Sequence, residues 1–151
     1  MYWEQTMSSR ELDNLVQAGL LKKEPGDQSE FNGLLELANL RFNDAKLPDL
    51  SPASRFSLAY DAAHAFSLAA LRWHGYRPEN KRYIVFQCLG HSLGLKHQDW
   101  RILDKCHNLR NVAEYAGHFN VDSQLLTDLL RVTEIVGRSV EKLGPVSTER
   151  K

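Results

Sequence analysis

Apolar residues recur along this chain at intervals of three and four, the spacing of one helix face, and the pattern runs nearly from end to end. Leu12, Leu15, Val16 and Leu20 form a first stripe, opened at Ser9 and ended by Pro25-Gly26. Asp27 with Glu30 reads as a capping box for a second helix reaching about residue 45. Its inward positions are Phe31, Leu34, Leu35, Ala38 and Phe42. Ser51 followed by Pro52 is an N-cap with proline at the first helical position, which starts a third helix that Gly75 stops. Its middle, LAYDAAHAFSLAAL, is apolar on almost every side, as suits the centre of a bundle. The alanines let neighbours approach closely, and the polar exceptions are Ser57, Asp61, His64 and Ser67.

Three more helices are predicted beyond it. Pro78-Glu79 opens one over 80–93, ended by Gly94. Tyr83-Ile84-Val85-Phe86 has strand-like composition but continues helically through Gln87-Cys88-Leu89. Asp99 caps the next, over 99–117, and Gly117 suits a left-handed C-terminal cap. The last starts at Asp122, carries Leu125, Leu126, Leu129, Leu130, Val132, Val136 and Val140, and stops at Gly144-Pro145. No strand is predicted. Short connections imply antiparallel neighbours, so the pattern predicts an all-α, up-and-down bundle of four to five core helices with a short N-terminal helix. One domain over 9–143 is expected, with an N-terminal extension over 1–8 and a disordered tail over 144–151. Met1 and Met7 are both candidate starts, since Ser8 or Ser9 is expected to open the first regular helix.

Composition narrows the function. At 151 residues, 42% apolar and 25% charged, the chain suits one globular domain. The 19 basic and 19 acidic residues cancel, so no general basic surface advertises nucleic acid and any such contact must be local. Lys22-Lys23, ended by Glu24, reads as a solvated helix end. Cys88 and Cys106 lie among apolar helical positions without a CxxC or Cys/His spacing. That argues against a disulfide scaffold or a structural zinc and for buried thiols in a reducing cytosol. The N-terminus lacks the apolar run of a signal peptide, and no stretch approaches a membrane span. A cytoplasmic protein with no cofactor, no metal and no membrane partner is expected.

The chemistry concentrates on the fifth predicted helix. Ile102, Cys106, Leu109, Val112, Ala113 and Ala116 share an apolar face. His107, Arg110, Asn111 and Glu114 form a stripe beside it, which His118 joins if the last turn persists. A surface helix usually sets Lys and Glu opposite the core, whereas here His, Arg, Asn and Glu border it. On the third predicted helix, Ser57, Tyr60, Asp61 and His64 fall on one side. The two polar strips can border one cleft if the helices are neighbours.

Two segments, Leu58-Ala59-Tyr60-Asp61-Ala62-Ala63-His64-Ala65 and Leu109-Arg110-Asn111-Val112-Ala113-Glu114-Tyr115, carry a family resemblance. Over roughly 51–140 the chain resembles the HEPN domain, the higher eukaryotes and prokaryotes nucleotide-binding family. The first segment is similar to its aromatic, histidine-bearing helix, and the second to its Arg-polar-x-x-x-His signature. The resemblance implies a helical bundle paired as a homodimer. Catalytic members are metal-independent ribonucleases, often toxins, and others bind nucleotides, RNA or a partner, commonly a nucleotidyltransferase. Arg110 then matches the signature arginine and Asn111 the polar residue after it. Tyr115 stands where the histidine belongs, and His118 lies three residues beyond.

Metal-free RNA cleavage needs a base, a cation for the phosphorane and an acid. Arginine grips phosphate in a bidentate fork, and histidine moves protons near neutral pH. A tyrosine with a pKa of about 10 is a poor base, although it can stack on a nucleobase or donate to phosphate. The signature therefore keeps its phosphate grip and loses its proton-transfer half, for which His107, one turn before Arg110, and Glu114 are the in-principle substitutes. The expected ligand contacts are Arg110, Asn111, Glu114, Tyr115, Tyr60, Asp61 and His64. The first reading is a homodimeric binding or regulatory protein for RNA, a nucleotide or a nucleotidyltransferase partner, as in a toxin–antitoxin pair. The rivals are an active endoribonuclease of toxin type, with Arg110 gripping phosphate and His107 or His118 moving protons, and a scaffold whose polar stripe only sets dimer geometry. Plainer roles compete residue by residue: an Arg110–Glu114 i,i+4 ion pair, a core histidine at His64 and a core aromatic at Tyr115.

Overall fold

The computed structural model describes residues 2–79, 82–116 and 120–147, with side chains for all except 2–9, 82, 83, 90, 91 and 114–116. It is a helical bundle, as the periodicity predicts. Its helices are α1 (Tyr2–Gln17), α2 (Gln28–Ala45), α3 (Pro52–Trp73), α4 (Arg82–Gln87), α5 (Leu89–Ser92), α6 (His97–Ala116) and α7 (Ser123–Glu141).

α3 is the hub, packing against α2, α4, α5, α6 and α7. Its alanines at 59, 62, 63, 65, 69 and 70 are buried, together with Phe56, Tyr60 and Phe66. Ser51 caps α3 by accepting from the Ser54 amide, and Gly75, at φ 90°, reverses the chain after it. α2 precedes it as the other arm of a helical hairpin, burying Phe31, Ala38, Phe42 and Ala45. α7 closes the main core with Leu126, Leu129, Val132, Val136 and Val140, starting from an Asp122 cap. At Gly137 the helix carries no side chain because the Phe66 ring lies there; a Cβ would sit 2.9 Å from Phe66 Cζ.

Several expectations need correction. Two strands exist, β1 (Leu21–Lys23) and β2 (Tyr76–Pro78), paired antiparallel with Lys22 opposite Arg77. Lys22-Lys23 is thus a strand, not a helix end. α1 stops well before Pro25, because Gly19 at φ 80° terminates it, with the Leu20 amide donating to Leu15 O. That helix starts at Tyr2, running through the segment expected as an extension. The fourth predicted helix is broken into α4 and α5 at Cys88. Asp99 is not a cap: it lies in the first turn of α6, 5% exposed, and accepts from Arg131 at 3.1 Å. The start of the expected tail is packed, since Val146 is buried and its amide donates to Gln28 Oε1 at 2.7 Å.

Glu30 does not complete a capping box. Asp27 accepts from the Ser29 amide, while Glu30 turns to Arg72 and Arg77. Arg72 is 2% exposed and donates to Glu30 at 2.9 Å, Glu24 O at 2.9 Å, Tyr76 O at 3.1 Å and Pro25 O at 2.8 Å. Arg77 donates to Glu24 and Glu30 at 2.8 Å each. This clasp joins the open end of the α2–α3 hairpin to β2. Hydrogen bonding to Arg77 is the main cause that holds the Glu24 carboxyl below its usual range. Burial alone would raise Glu30, but hydrogen bonds from Arg77 and Arg72 outweigh it and hold that carboxyl low as well.

Candidate functional site at the α3–α6 interface

α3 and α6 are neighbours, and their polar strips face each other. Tyr60, Asp61 and His64 occupy positions i, i+1 and i+4 of α3, and His107, Arg110 and Asn111 occupy i, i+3 and i+4 of α6. Each trio spans about one turn, so its members share a side of their helix.

The Tyr60 hydroxyl and His107 Nδ1 are 2.8 Å apart, and Asn111 Nδ2 is 3.2 Å from His107 Nε2. The two bonds are interlocked. If the Asn111 amide donates to Nε2, the imidazole proton is on Nδ1 and goes to Tyr60. If Tyr60 donates to Nδ1, the proton is on Nε2 and goes to the amide oxygen of a turned Asn111. Asn111 is exposed, so it can release Nε2 at little cost.

Tyr60 itself is 1% exposed, which excludes it as a stacking platform for a ligand. Its ring meets Phe86 of α4 edge-on at 5.5 Å, and the Arg110 guanidinium lies 4.6 Å from its centroid. Cation–π attraction thus places Arg110 while the hydroxyl places His107. His64 stands edge-on to the same Phe86 at 5.8 Å.

Arg110 Nη1 lies 3.4 Å from Asp61 Oδ1, and Arg41 Nη1, reaching over from α2, lies 3.9 Å from Asp61 Oδ2. Asp61, Arg110 and Arg41 have side chains 25%, 28% and 39% exposed, so the group opens to solvent. Two cations against one carboxylate leave a single positive charge where three helices meet.

Of the residues expected in the site, the structure gathers Tyr60, Asp61, His107, Arg110 and Asn111 around one centre, with His64 adjoining through Phe86. Ser57 is exposed and contributes no contact to the group. Glu114 and Tyr115 lie on α6, outside the residues whose side chains are described, and His118 lies outside the described residues altogether. Arg41 and Phe86 escaped the sequence reading. Arg41 stands beside the core residue Phe42 without a motif, and Phe86 belongs to the strand-like run; only the packing of α2 and α4 on α3 reveals either.

Among the described residues no group of three or more His, Cys, Asp or Glu side chains could hold a metal ion, and no helix is long and apolar enough to cross a membrane. Cys106 is buried in α6. Burial, chiefly, pushes the Cys88 and Cys106 thiols up to about 12, so both are protonated at neutral pH. A separate cavity of about 70 Å³, lined by Asn39, Phe42, Phe66, Gly137 and Arg138 among others, shares no residue with the α3–α6 group. It is too small for a nucleotide, since ligand pockets start at about 300 Å³. No protein-family model matches the chain, and no curated protein matches it either.

Proposed function

We propose that this chain is a HEPN-like binding module, working as a cytoplasmic homodimer, that takes the phosphate of a nucleotide at the α3–α6 group. The observation that carries the reading is the placement of Arg110 beside His107 and over the Tyr60 ring, with Arg41 reaching in from α2. Guanidinium groups present forked donors that match phosphate oxygens, and two of them with one carboxylate favour a small anion. Zero net charge favours a nucleotide over a long polynucleotide, because affinity for a nucleic-acid backbone follows the number of phosphates neutralised. Calorimetric titration with ADP tests the reading: binding that Arg110→Ala abolishes supports it, and absence of binding by the unaltered protein refutes it.

One observation favours a second reading, metal-independent RNA cleavage. His107 is oriented by the Tyr60 hydroxyl in the manner of a general base held by a third group. With Nδ1 protonated toward Tyr60 and Asn111 swung aside, Nε2 can take the proton of a ribose 2′-hydroxyl as that oxygen bonds to the adjacent phosphorus. Arg110 bears the developing phosphorane charge, and the P–O5′ bond breaks with the departing 5′-oxygen protonated by solvent water. RNA incubated in EDTA with the protein and with His107→Ala decides this reading. Cleavage lost in the variant supports it, and intact RNA in both dismisses it.

A further inference from the structure

Two of the arginine–carboxylate groups among the described residues join a pair of arginines each, and they differ in kind. In the clasp, Arg72 meets Glu30, and Arg77 meets Glu24 and Glu30, through hydrogen bonds of 2.8–2.9 Å, the spacing of a charge-assisted bond, and only Arg72 to the Glu24 carboxylate is longer, at 3.5 Å. At the α3–α6 site, Asp61 stands 3.4 Å from Arg110 and 3.9 Å from Arg41. Asp61 Oδ1 and Arg110 Nη1 are both shielded from solvent, and neither makes a hydrogen bond. The two atoms face each other as an ion pair without the alignment of a hydrogen bond, so this pairing is weaker than those of the clasp and opens at lower cost. Arg110 has a second contact besides Asp61, its guanidinium lying 4.6 Å from the Tyr60 ring centroid.

We propose that Asp61 is an internal counter-ion of this site: it gathers Arg41 and Arg110 when no anion is bound and yields both guanidinium groups to a phosphate group on binding. The inference rests on the phosphate-binding reading above and adds its regulation. Asp61 is then a positioning residue that lowers affinity. It keeps two arginines from repelling each other, and it charges every arriving anion the loss of that pairing. The phosphate oxygens satisfy the donor that Asp61 leaves unbonded, and the carboxylate turns to solvent through its exposed side. No bond is made or broken covalently in this exchange.

The test is calorimetric titration of ADP into the unaltered protein, Asp61→Asn, Arg110→Ala and the Asp61→Asn/Arg110→Ala pair. Removing one like charge beside the bound phosphate is expected to tighten ADP binding about tenfold in Asp61→Asn. The double variant is expected to bind ADP no better than Arg110→Ala, because the gain comes through the arginine that Asp61 releases; a double variant that regains binding overturns the counter-ion role. Salt dependence supplies a second readout, since the Asp61→Asn complex weakens more steeply with added potassium chloride. If the unaltered protein binds ADP, Arg110→Ala does not, and Asp61→Asn binds equally or more weakly, the counter-ion role is overturned while the phosphate reading survives. If neither the unaltered protein nor Asp61→Asn binds ADP, both fall together. Should Asp61→Asn unfold, Asp61→Ser in the same titration takes its place with the same expected sign.

Discussion

Replacing Arg72 with methionine tests how much the clasp contributes to this fold. Methionine retains most of the aliphatic stem and its packing, so the change isolates the guanidinium. Four hydrogen bonds disappear: one to Glu30 and three to the carbonyls of Glu24, Pro25 and Tyr76. Charge-assisted bonds are worth about 1.5–3 kcal/mol each, so simple addition gives roughly 6–12 kcal/mol. That sum overshoots, because Glu24 and Pro25 lie in a connection that can turn to water and Glu30 keeps Arg77. Removing one partner of a buried ion pair costs about 3–5 kcal/mol, which is the expected loss here. In a chain of this length it lowers the melting temperature by about 6–20 °C. Urea unfolding followed by far-ultraviolet circular dichroism measures it, with Arg77→Met as the comparison. Arg77 is 31% exposed, and solvent screens its pairs, so that variant should lose only about 1 kcal/mol. An Arg72→Met protein within about 1 kcal/mol of the parent, or no weaker than Arg77→Met, would refute the assignment of the clasp as a buried keystone.

Three further outcomes follow from the packing and the charges. Glu24 and Glu30 titrate below their ordinary value of 4.5, so the stability they supply is complete above that value and is lost as pH falls through their lowered values. Urea midpoints measured from pH 7 down to 3 should fall below pH 4.5, and a Glu30→Gln variant should fall less; a flat profile counts against the clasp. The Cys88 and Cys106 thiols, pushed up to about 12, should react with Ellman's reagent at pH 8 only as fast as the protein opens, and rapid labelling of the native protein would contradict their burial. Gly137→Ala should destabilise by about 0–2 kcal/mol, the strain against Phe66 exceeding the gain in helix propensity, and Phe66→Leu should relieve it in the same urea assay.

The sequence was most legible where local chemistry decides structure. Ser51, Pro52 and Gly75 bound α3 within a residue of the expected span, because a cap, a fixed φ and a left-handed turn act on their own neighbours. The two strands escaped because each is only three residues long and neither shows an alternation of its own. Their pairing depends on the reversals at Gly19 and Gly75, which present distant segments to each other. Glu30 shows the same limit: its spacing from Asp27 suits a capping box, yet two arginines compete for it and win. At the candidate site, helix periodicity put Tyr60, Asp61 and His64 on one face and His107, Arg110 and Asn111 on another. That those faces meet is a matter of bundle packing, to which no residue spacing speaks. Arg41 carried no signal, since an arginine at the border of a core face is ordinary until something lies opposite it.

The clasp also has a bearing on the order in which the molecule assembles. Arg72 and Pro25 are 47 positions apart along the chain, a wide gap for a random coil to close. The α2–α3 hairpin shortens that gap, because antiparallel arms set the start of one helix beside the end of the other. Arg72 therefore finds the Glu24 and Pro25 carbonyls only once the hairpin has docked, and β1 can pair with β2 only at that same junction. The clasp is therefore expected to form late on the folding route, after the transition state. Its removal should leave the refolding rate nearly unchanged and speed unfolding by the whole of the lost stability. It is a latch, setting how long the native molecule lasts rather than how quickly it forms.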